Sequence, residues 1–420
     1  MKIETFYDVP VEILSSEYGL YKPNLEQSNT SVLPSIARHM NLNNKEALDN
    51  KVFNPKLNKR IAEQFSAGVE NLVFFICDAI GVVHLEQFGG FLWDNITNQG
   101  MVGSTMFPSM TSTVMTSISY GMNPSDHGLV GYNIYNEKLD TIWNSLNLKY
   151  LKDDKATFVL DEYQISDFVS GDPLIDIITA PENQITGTFL APNMPYNPNL
   201  IDLINPNLQS IQYTDYADAG KQLLSQLDQD GRQLIAIYLG DADIAGHGYG
   251  PDSAYYKGAV QGIERLVSTV TQHPKFKDGS TIGALTADHG QVQVNHEVSQ
   301  WMDWETWRSI RNEGVTLSTS GRVLHAYCEP RALDKGRMKL EELANSRGYV
   351  IDKKDAISMS GGNDTFEMRY GDFMMIMEDG YLADIPEIVP LGDPMHLHGQ
   401  HGSLTPKELF VPIGLFGGEL

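Results

Sequence analysis

The chain has only two cysteines, Cys77 and Cys328, among its 420 residues, which excludes the disulfide framework of a small secreted scaffold. Cys77 closes an apolar run and reads as a small core residue. No stretch of about 18 or more apolar residues suggests a membrane-spanning helix. Met1-Lys2-Ile3-Glu4-Thr5 lacks the apolar core of a secretory leader, so a soluble, cytoplasmic enzyme is the expectation. Positive charge is scarce as well: 30 Lys and Arg stand against 54 Asp and Glu, a formal net charge of −24. With no basic block, capture of a nucleic acid polymer or an anionic membrane through surface charge is not expected. No internal repeat or low-complexity tract breaks the chain.

What is present is a recurring ending. Three apolar runs each lead to an aspartate: Leu72 to Cys77 before Asp78, Leu234 to Leu239 shortly before Asp243, and Ile282 to Ala287 before Asp288. His247 lies four residues after Asp243, and His289 follows Asp288 directly. Short, bounded apolar runs read as strands buried on both faces, which belong to parallel sheets flanked by helices. Ligands of such sheets bind beyond the carboxyl ends of the strands. The pattern delivers three carboxylates and two imidazoles to one sheet edge, the makings of a metal site.

Between about residues 70 and 290 strand-like and helix-like stretches alternate. Helical spacing of apolar residues marks Asp215 to Gln229 and Tyr255 to Val270. The expected fold is α/β, a mostly parallel central sheet flanked by helices. The Pro- and Asn-rich stretch from Thr179 to Pro206 is expected to be a loop near the sheet edge. From Gln291 the rhythm changes, with short strands such as Val323 to Tyr327 and Phe373 to Met377 around a helix at Arg331 to Arg347. Residues 291–395 are read as an inserted cap subdomain, and residues 1–290 and 396–420 as the catalytic core, closing on an apolar strand at Leu409 to Phe416. Core packing is the expected fate of most cap aromatics, among them Trp301, Trp304, Trp307 and Tyr370. The first 60 or so residues give only a short helix at Val32 to Met40.

The segment from Phe107 to Thr116 is crowded with hydroxyls and leads into a helix ending near Gly121. Such hydroxyls cap free helix N–H groups. A helix start is also a phosphate site, and a hydroxyl there beside a metal can become a nucleophile. Local physics leaves open which of Ser109, Thr111, Ser112 and Thr113 that would be.

Phe107-Pro108-x-x-Thr111, Asn123-Pro124-Ser125-Asp126-His127-Gly128-Leu129 and Gly131-Tyr132-Asn133 resemble the nucleotide pyrophosphatase/phosphodiesterase branch of the alkaline phosphatase superfamily. The resemblance continues through Asp78, Asp243-x-x-Gly246-His247, Asp288-His289-Gly290 and His401-Gly402-Ser403-Leu404-Thr405-Pro406, covering roughly residues 70 to 415. It implies a hydrolase of phosphodiester or pyrophosphate bonds with Thr111 as nucleophile. It further implies one metal held by Asp243, His247 and His401, and another by Asp78, Asp288 and His289 with the Thr111 oxygen facing it. Oxygen and nitrogen ligands divided between two ions suit zinc. The metals would invert the local field, so an acidic protein could bind a small phosphorylated substrate. His127 is expected to stabilise its turn, and His398 to lie behind the ligands or against substrate.

One departure stands out. Nucleotide-cleaving relatives are similar in this segment but carry an asparagine three residues after the nucleophile, where this chain has Val114. The phosphate-oxygen contact would fall to the backbone N–H of Ser112 or the side chain of Asn133. Hydrolysis of a phosphomonoester or of a phosphonate C–P bond by the same site is the alternative reaction.

Overall fold

The computed structural model describes residues 2–65, 69–152, 155–192, 200, 204, 205, 207–386 and 397–418. Its centre is a seven-stranded sheet formed by β1 (Asn71–Cys77), β2 (Met101–Ser104), β3 (Ile185–Pro192), β4 (Gln209–Tyr213), β5 (Arg232–Leu239), β6 (Thr281–Ala287) and β7 (Phe410–Phe416). The spatial order is β4-β3-β5-β1-β6-β7-β2. The first five neighbours in that order run parallel, and β7 lies antiparallel to both β6 and β2. Every residue of β1, β6 and β7 is buried, as continuous apolar runs require when helices cover both faces. The fold class is therefore α/β with a mostly parallel sheet.

Register places the site. Cys77 at the end of β1 pairs with Leu239 at the end of β5 and with Ala287 at the end of β6. Three adjacent strands thus finish level, and the residues that follow them emerge side by side. Around the sheet pack α1 (Thr111–Tyr120), α2 (Tyr216–Leu227), α3 (Asp241–Tyr249) and α4 (Ala254–Val270). Gly121, in the left-handed region, closes α1.

Sequence and structure part company at β3. The stretch from Thr179 holds a central parallel strand, Ile185–Pro192, where a loop was expected; the end of that stretch, at 193–199, 201–203 and 206, lies outside the described residues. Thr186, Gly187 and Thr188 dilute the apolar signal. Gly187 nevertheless has a strand reason: a Cβ there would meet Leu208 Cδ2 at 2.3 Å. The helix expected at Arg331 begins as a single 3₁₀ turn, Pro330–Ala332, and continues as Leu333–Ala344. The N-terminal residues form a small antiparallel meander, Ile3–Phe6, Val9–Ser15 and Leu20–Tyr21, and helices Val32–Ala37 and Pro55–Gln64 follow.

A second, antiparallel sheet orders the strands Val315–Ser320, Val323–Cys328, Phe373–Met377 and Gly348–Asp352. It shares a separate hydrophobic cluster with helices Trp304–Asn312 and Leu333–Ala344, through Trp307, Ile310, Leu317, Leu340, Met375 and Tyr381. Trp307 and Tyr370 are buried, but Trp301 and Trp304 are exposed, against the core role expected of most of these rings. Among the described residues no helix is long and apolar enough to cross a membrane.

Candidate metal centre and nucleophile

The three level strand ends bring the acidic residues together. Asp78 follows β1 and Asp288 follows β6, both buried, and Asp243 sits in the first turn of α3 beyond β5. His247 is one helical turn on, so its Nε2 faces the same side and stands 3.1 Å from Asp243 Oδ1. His401 arrives from the loop before β7, with its Nε2 3.9 Å from the same oxygen. His289 Nε2 lies 3.5 Å from Asp78 Oδ1 and 3.3 Å from Asp288 Oδ2. The His289 and His401 rings stack at 3.6 Å. Thr111 begins α1, and its Oγ1 is 3.2 Å from His289 Nε2.

Ligand atoms of Asp243, His247 and His401 lie within 4.8 Å of one another, and so do those of Asp78, Asp243 and His289. The second grouping differs from the expected Asp78, Asp288 and His289. Asp243 stands between the two sets, and Asp288 reaches the second through His289, while its Oδ1 accepts the backbone N–H groups of Ala79 and His289.

The tautomers are fixed by carbonyls, which can only accept. His247 Nδ1–H donates to Gly399 C=O at 2.8 Å, His401 Nδ1–H to Ser109 C=O at 2.8 Å, and His289 Nδ1–H to Gly290 C=O at 3.1 Å. Each Nε2 lone pair is then turned into the site, as metal-binding histidines require. Asp78 Oδ1 and Asp288 Oδ2 are buried without a hydrogen-bond donor. Among the described residues no lysine or arginine pairs with Asp78, Asp243 or Asp288. Burial, and then the neighbouring charge of Asp288, raises the Asp78 carboxyl well above the usual range. For Asp243 burial works in the same direction, yet His247, followed by His401 and His289, outweighs it and holds the carboxyl low. Burial and the charge of His289 push His401 well down, toward a neutral imidazole. The donor-less oxygens of Asp78 and Asp288, buried beside the Nε2 atoms of His289, His247 and His401, form a candidate cation site; leaving buried carboxylates without a counter-charge is costly.

Several supporting residues were not legible beforehand. Tyr238, in the apolar run of β5, donates its hydroxyl to Asp78 Oδ2. Gln291 Nε2 donates to Asp243 Oδ1 at 2.9 Å, linking the loop after β6 to α3. Asn29 Nδ2 and the Thr105 hydroxyl both donate to the Asp288 carbonyl. Only the position of Gln291, two residues after His289, could have marked any of them. His127 stays in its turn, with Nδ1 accepting Leu129 N–H at 3.2 Å and Nε2–H donating to Ser117 Oγ at 2.8 Å. His398 is exposed, but its N–H donates to the His247 carbonyl at 2.8 Å.

The pattern that defines the type I phosphodiesterase/nucleotide pyrophosphatase family matches residues 94–404. The chain belongs to this family. Rat ectonucleotide pyrophosphatase/phosphodiesterase family member 7 is 23% identical over 299 residues. That match spans 64% of this chain and 64% of the rat protein, a little under two thirds of the relative's length. A 2,3-bisphosphoglycerate-independent phosphoglycerate mutase of Clostridium perfringens is 26% identical over 129 residues, 29% of this chain and 23% of the mutase. Among solved structures, murine ectonucleotide pyrophosphatase/phosphodiesterase 5 superposes with a TM-score of 0.57 at 15% identity, covering 83% of this chain and 88% of that one. An inactive form of the murine protein in complex with AMP gives a TM-score of 0.56 at 14% identity, over the same shares. At such identities the likeness is one of fold, an alkaline phosphatase-like α/β core.

Proposed function

We propose that this family member hydrolyses a small phosphodiester or pyrophosphate bond through Thr111 and two divalent metal ions, most simply zinc. The observation that carries the reading is the position of Thr111. Its hydroxyl opens α1, whose start has no capping side chain, and points at His289 Nε2 beside the unpaired oxygens of Asp78 and Asp288.

In this reading Asp243, His247 and His401 hold one ion, and Asp78, Asp288 and His289 the other. The ions supply Lewis acidity, favouring the ionised nucleophile and leaving oxygen. The chain supplies the remainder. Thr111 Oγ1 loses its proton to water and attacks phosphorus as the P–O bond to the leaving group breaks; the leaving alcohol or phosphate takes up a proton, and water then cleaves the phosphothreonine ester and restores the Thr111 hydroxyl. The first-turn N–H groups and the dipole of α1 face the phosphate oxygens. Val114 is fully buried; Asn133 accepts from Asn144 with its oxygen while its Nδ2 is buried without an acceptor, so both the Ser112 N–H and the Asn133 Nδ2 remain as donors for a phosphate oxygen. A nucleotide-like substrate is supported by the AMP bound to the murine relative. Residues 291–395 are proposed to cap a core of residues 1–290 and 396–420; the second sheet and its own hydrophobic cluster support this, although 387–396 lie outside the described residues.

The test is hydrolysis of bis-p-nitrophenyl phosphate beside p-nitrophenyl phosphate by the zinc-loaded protein and its Thr111→Ala variant. A diester preference that disappears in the variant is expected. Undiminished turnover by Thr111→Ala would refute the assigned nucleophile, and a monoester preference would favour a phosphatase.

A further inference from the structure

The turn Ser320-Gly321-Arg322 joins two strands of the second sheet, yet it touches three segments that carry the site. Arg322 N–H donates to the His401 carbonyl at 2.8 Å. Ser320 Oγ accepts Tyr132 N–H at 2.9 Å. Met110, the residue before Thr111, lays its sulfur against both Gly321 and Gly402. The approach leaves room for glycine alone: a Cβ at Gly321 (φ +60°) would meet His401 O at 2.1 Å, and one at Gly402 (φ +121°) would meet Ser320 O at 2.6 Å.

Behind this contact lies a fully buried ion pair. Arg322 Nη1 donates to Glu408 Oε2, and its Nε donates to Tyr381 C=O at 3.1 Å. Glu408 Oε1 accepts Ser403 N–H at 2.9 Å, and Oε2 also accepts the Thr405 hydroxyl at 2.6 Å. The Glu408 carbonyl accepts Gly290 N–H at 3.0 Å. One residue thus fastens the chain two positions beyond His401 and one position beyond His289. A buried ion pair is a poor source of net stability compared with apolar packing; fixed geometry is what this one offers.

We infer that Arg322 and Glu408 are positioning residues. They hold the loops of His401 and His289 in metal-binding geometry and make the second sheet a structural part of the centre. The inference rests on the two-metal reading above, and a test must separate the two. Zinc affinity would be measured by competition with a chromophoric chelator for wild type, Glu408→Gln and Glu137→Gln. Glu137 pairs with Arg369 at 2.9 Å, and Arg369 otherwise bonds the carbonyls of Gly128 and Phe168, away from the ligand loops. Glu137→Gln therefore controls for the loss of a long-range ion pair. Glu408→Gln should bind zinc roughly 10- to 100-fold more weakly, the usual effect of losing a partner behind a ligand, while Glu137→Gln matches wild type. Equal zinc affinity in folded Glu408→Gln, or equal weakening in both variants, would overturn the inference. Should Glu408→Gln not fold, Thr405→Val removes one hydrogen bond from the same carboxylate and is read by the same criterion. Wild type that binds no zinc would overturn the two-metal reading and this inference together.

Discussion

Replacing Gly246 by alanine sets two effects of similar size against each other. Gly246 lies inside α3, between Asp243 and His247. In a helix interior, alanine for glycine contributes about 1 kcal/mol of stability. Here the added Cβ would fall 1.6 Å from Gln291 Oε1 and 2.7 Å from Gln291 Cδ, so the glutamine must leave. Gln291 is fully buried and gives its amide to Asp243, and losing a hydrogen bond to a charged group costs about 1.5–3 kcal/mol. The difference predicts that Gly246→Ala destabilises by about 0.5–2 kcal/mol, opposite in sign to helix propensity. Gln291→Ala alone should cost about 2 kcal/mol for the same bond. In that background nothing obstructs the new methyl, and Gly246→Ala should recover about 1 kcal/mol. The double-mutant cycle then carries a coupling of about 2 kcal/mol. Urea denaturation of the four proteins with metal chelated measures it. Gly246→Ala at or above wild-type stability, or a cycle without coupling, would show that the contact does not constrain the helix.

Two further outcomes follow from the site and its surroundings. Free zinc at 1,000 times its dissociation constant contributes about 4 kcal/mol per ion. With about 2.1 cal/mol/K of unfolding entropy per residue over 420 residues, each bound ion should raise Tm by about 5 °C in scanning calorimetry; identical Tm values with zinc and with chelator would refute the site. Burial, assisted by the charge of Arg369, lowers the His127 pKa to about 3. Below about pH 6.5 the unfolded chain therefore takes up a proton that folded His127 refuses, and stability falls as the pH falls. Between pH 7 and 5 the loss from this residue is about 2 kcal/mol, and His127→Gln should flatten the pH profile by that amount; an unchanged slope would assign the loss to other groups.

The strands that carry the candidate ligands were legible because each is buried on both faces and announces itself as an unbroken apolar run. β3 was not, since its threonines dilute the apolar run and Gly187 satisfies a packing demand set by Leu208, which is distant in sequence. β2, four residues long, is too short to show a pattern. The candidate ligands were visible as aspartates and histidines placed after strands, and His401 through its motif. Asn29, Tyr238 and Gln291 were not, because each acts across a gap in sequence that only the topology closes. Tyr238 in particular occupies a β5 position where any bulky apolar residue would satisfy the pattern; its hydroxyl partner, Asp78, stands just past the end of the neighbouring strand.

β7 has a consequence for biosynthesis. It lies between β6 and β2, although it is made roughly 300 residues after β2. Until Phe410 to Phe416 leave the ribosome, β2 has no neighbour on its β7 side, and the matching flank of β6 is likewise an open template for other chains. A sheet completed from its interior is a high-contact-order event, slow and exposed to aggregation. Nascent chains halted before residue 410 should therefore collect as chaperone-bound species, and the core should close only after the last strand has been threaded into place.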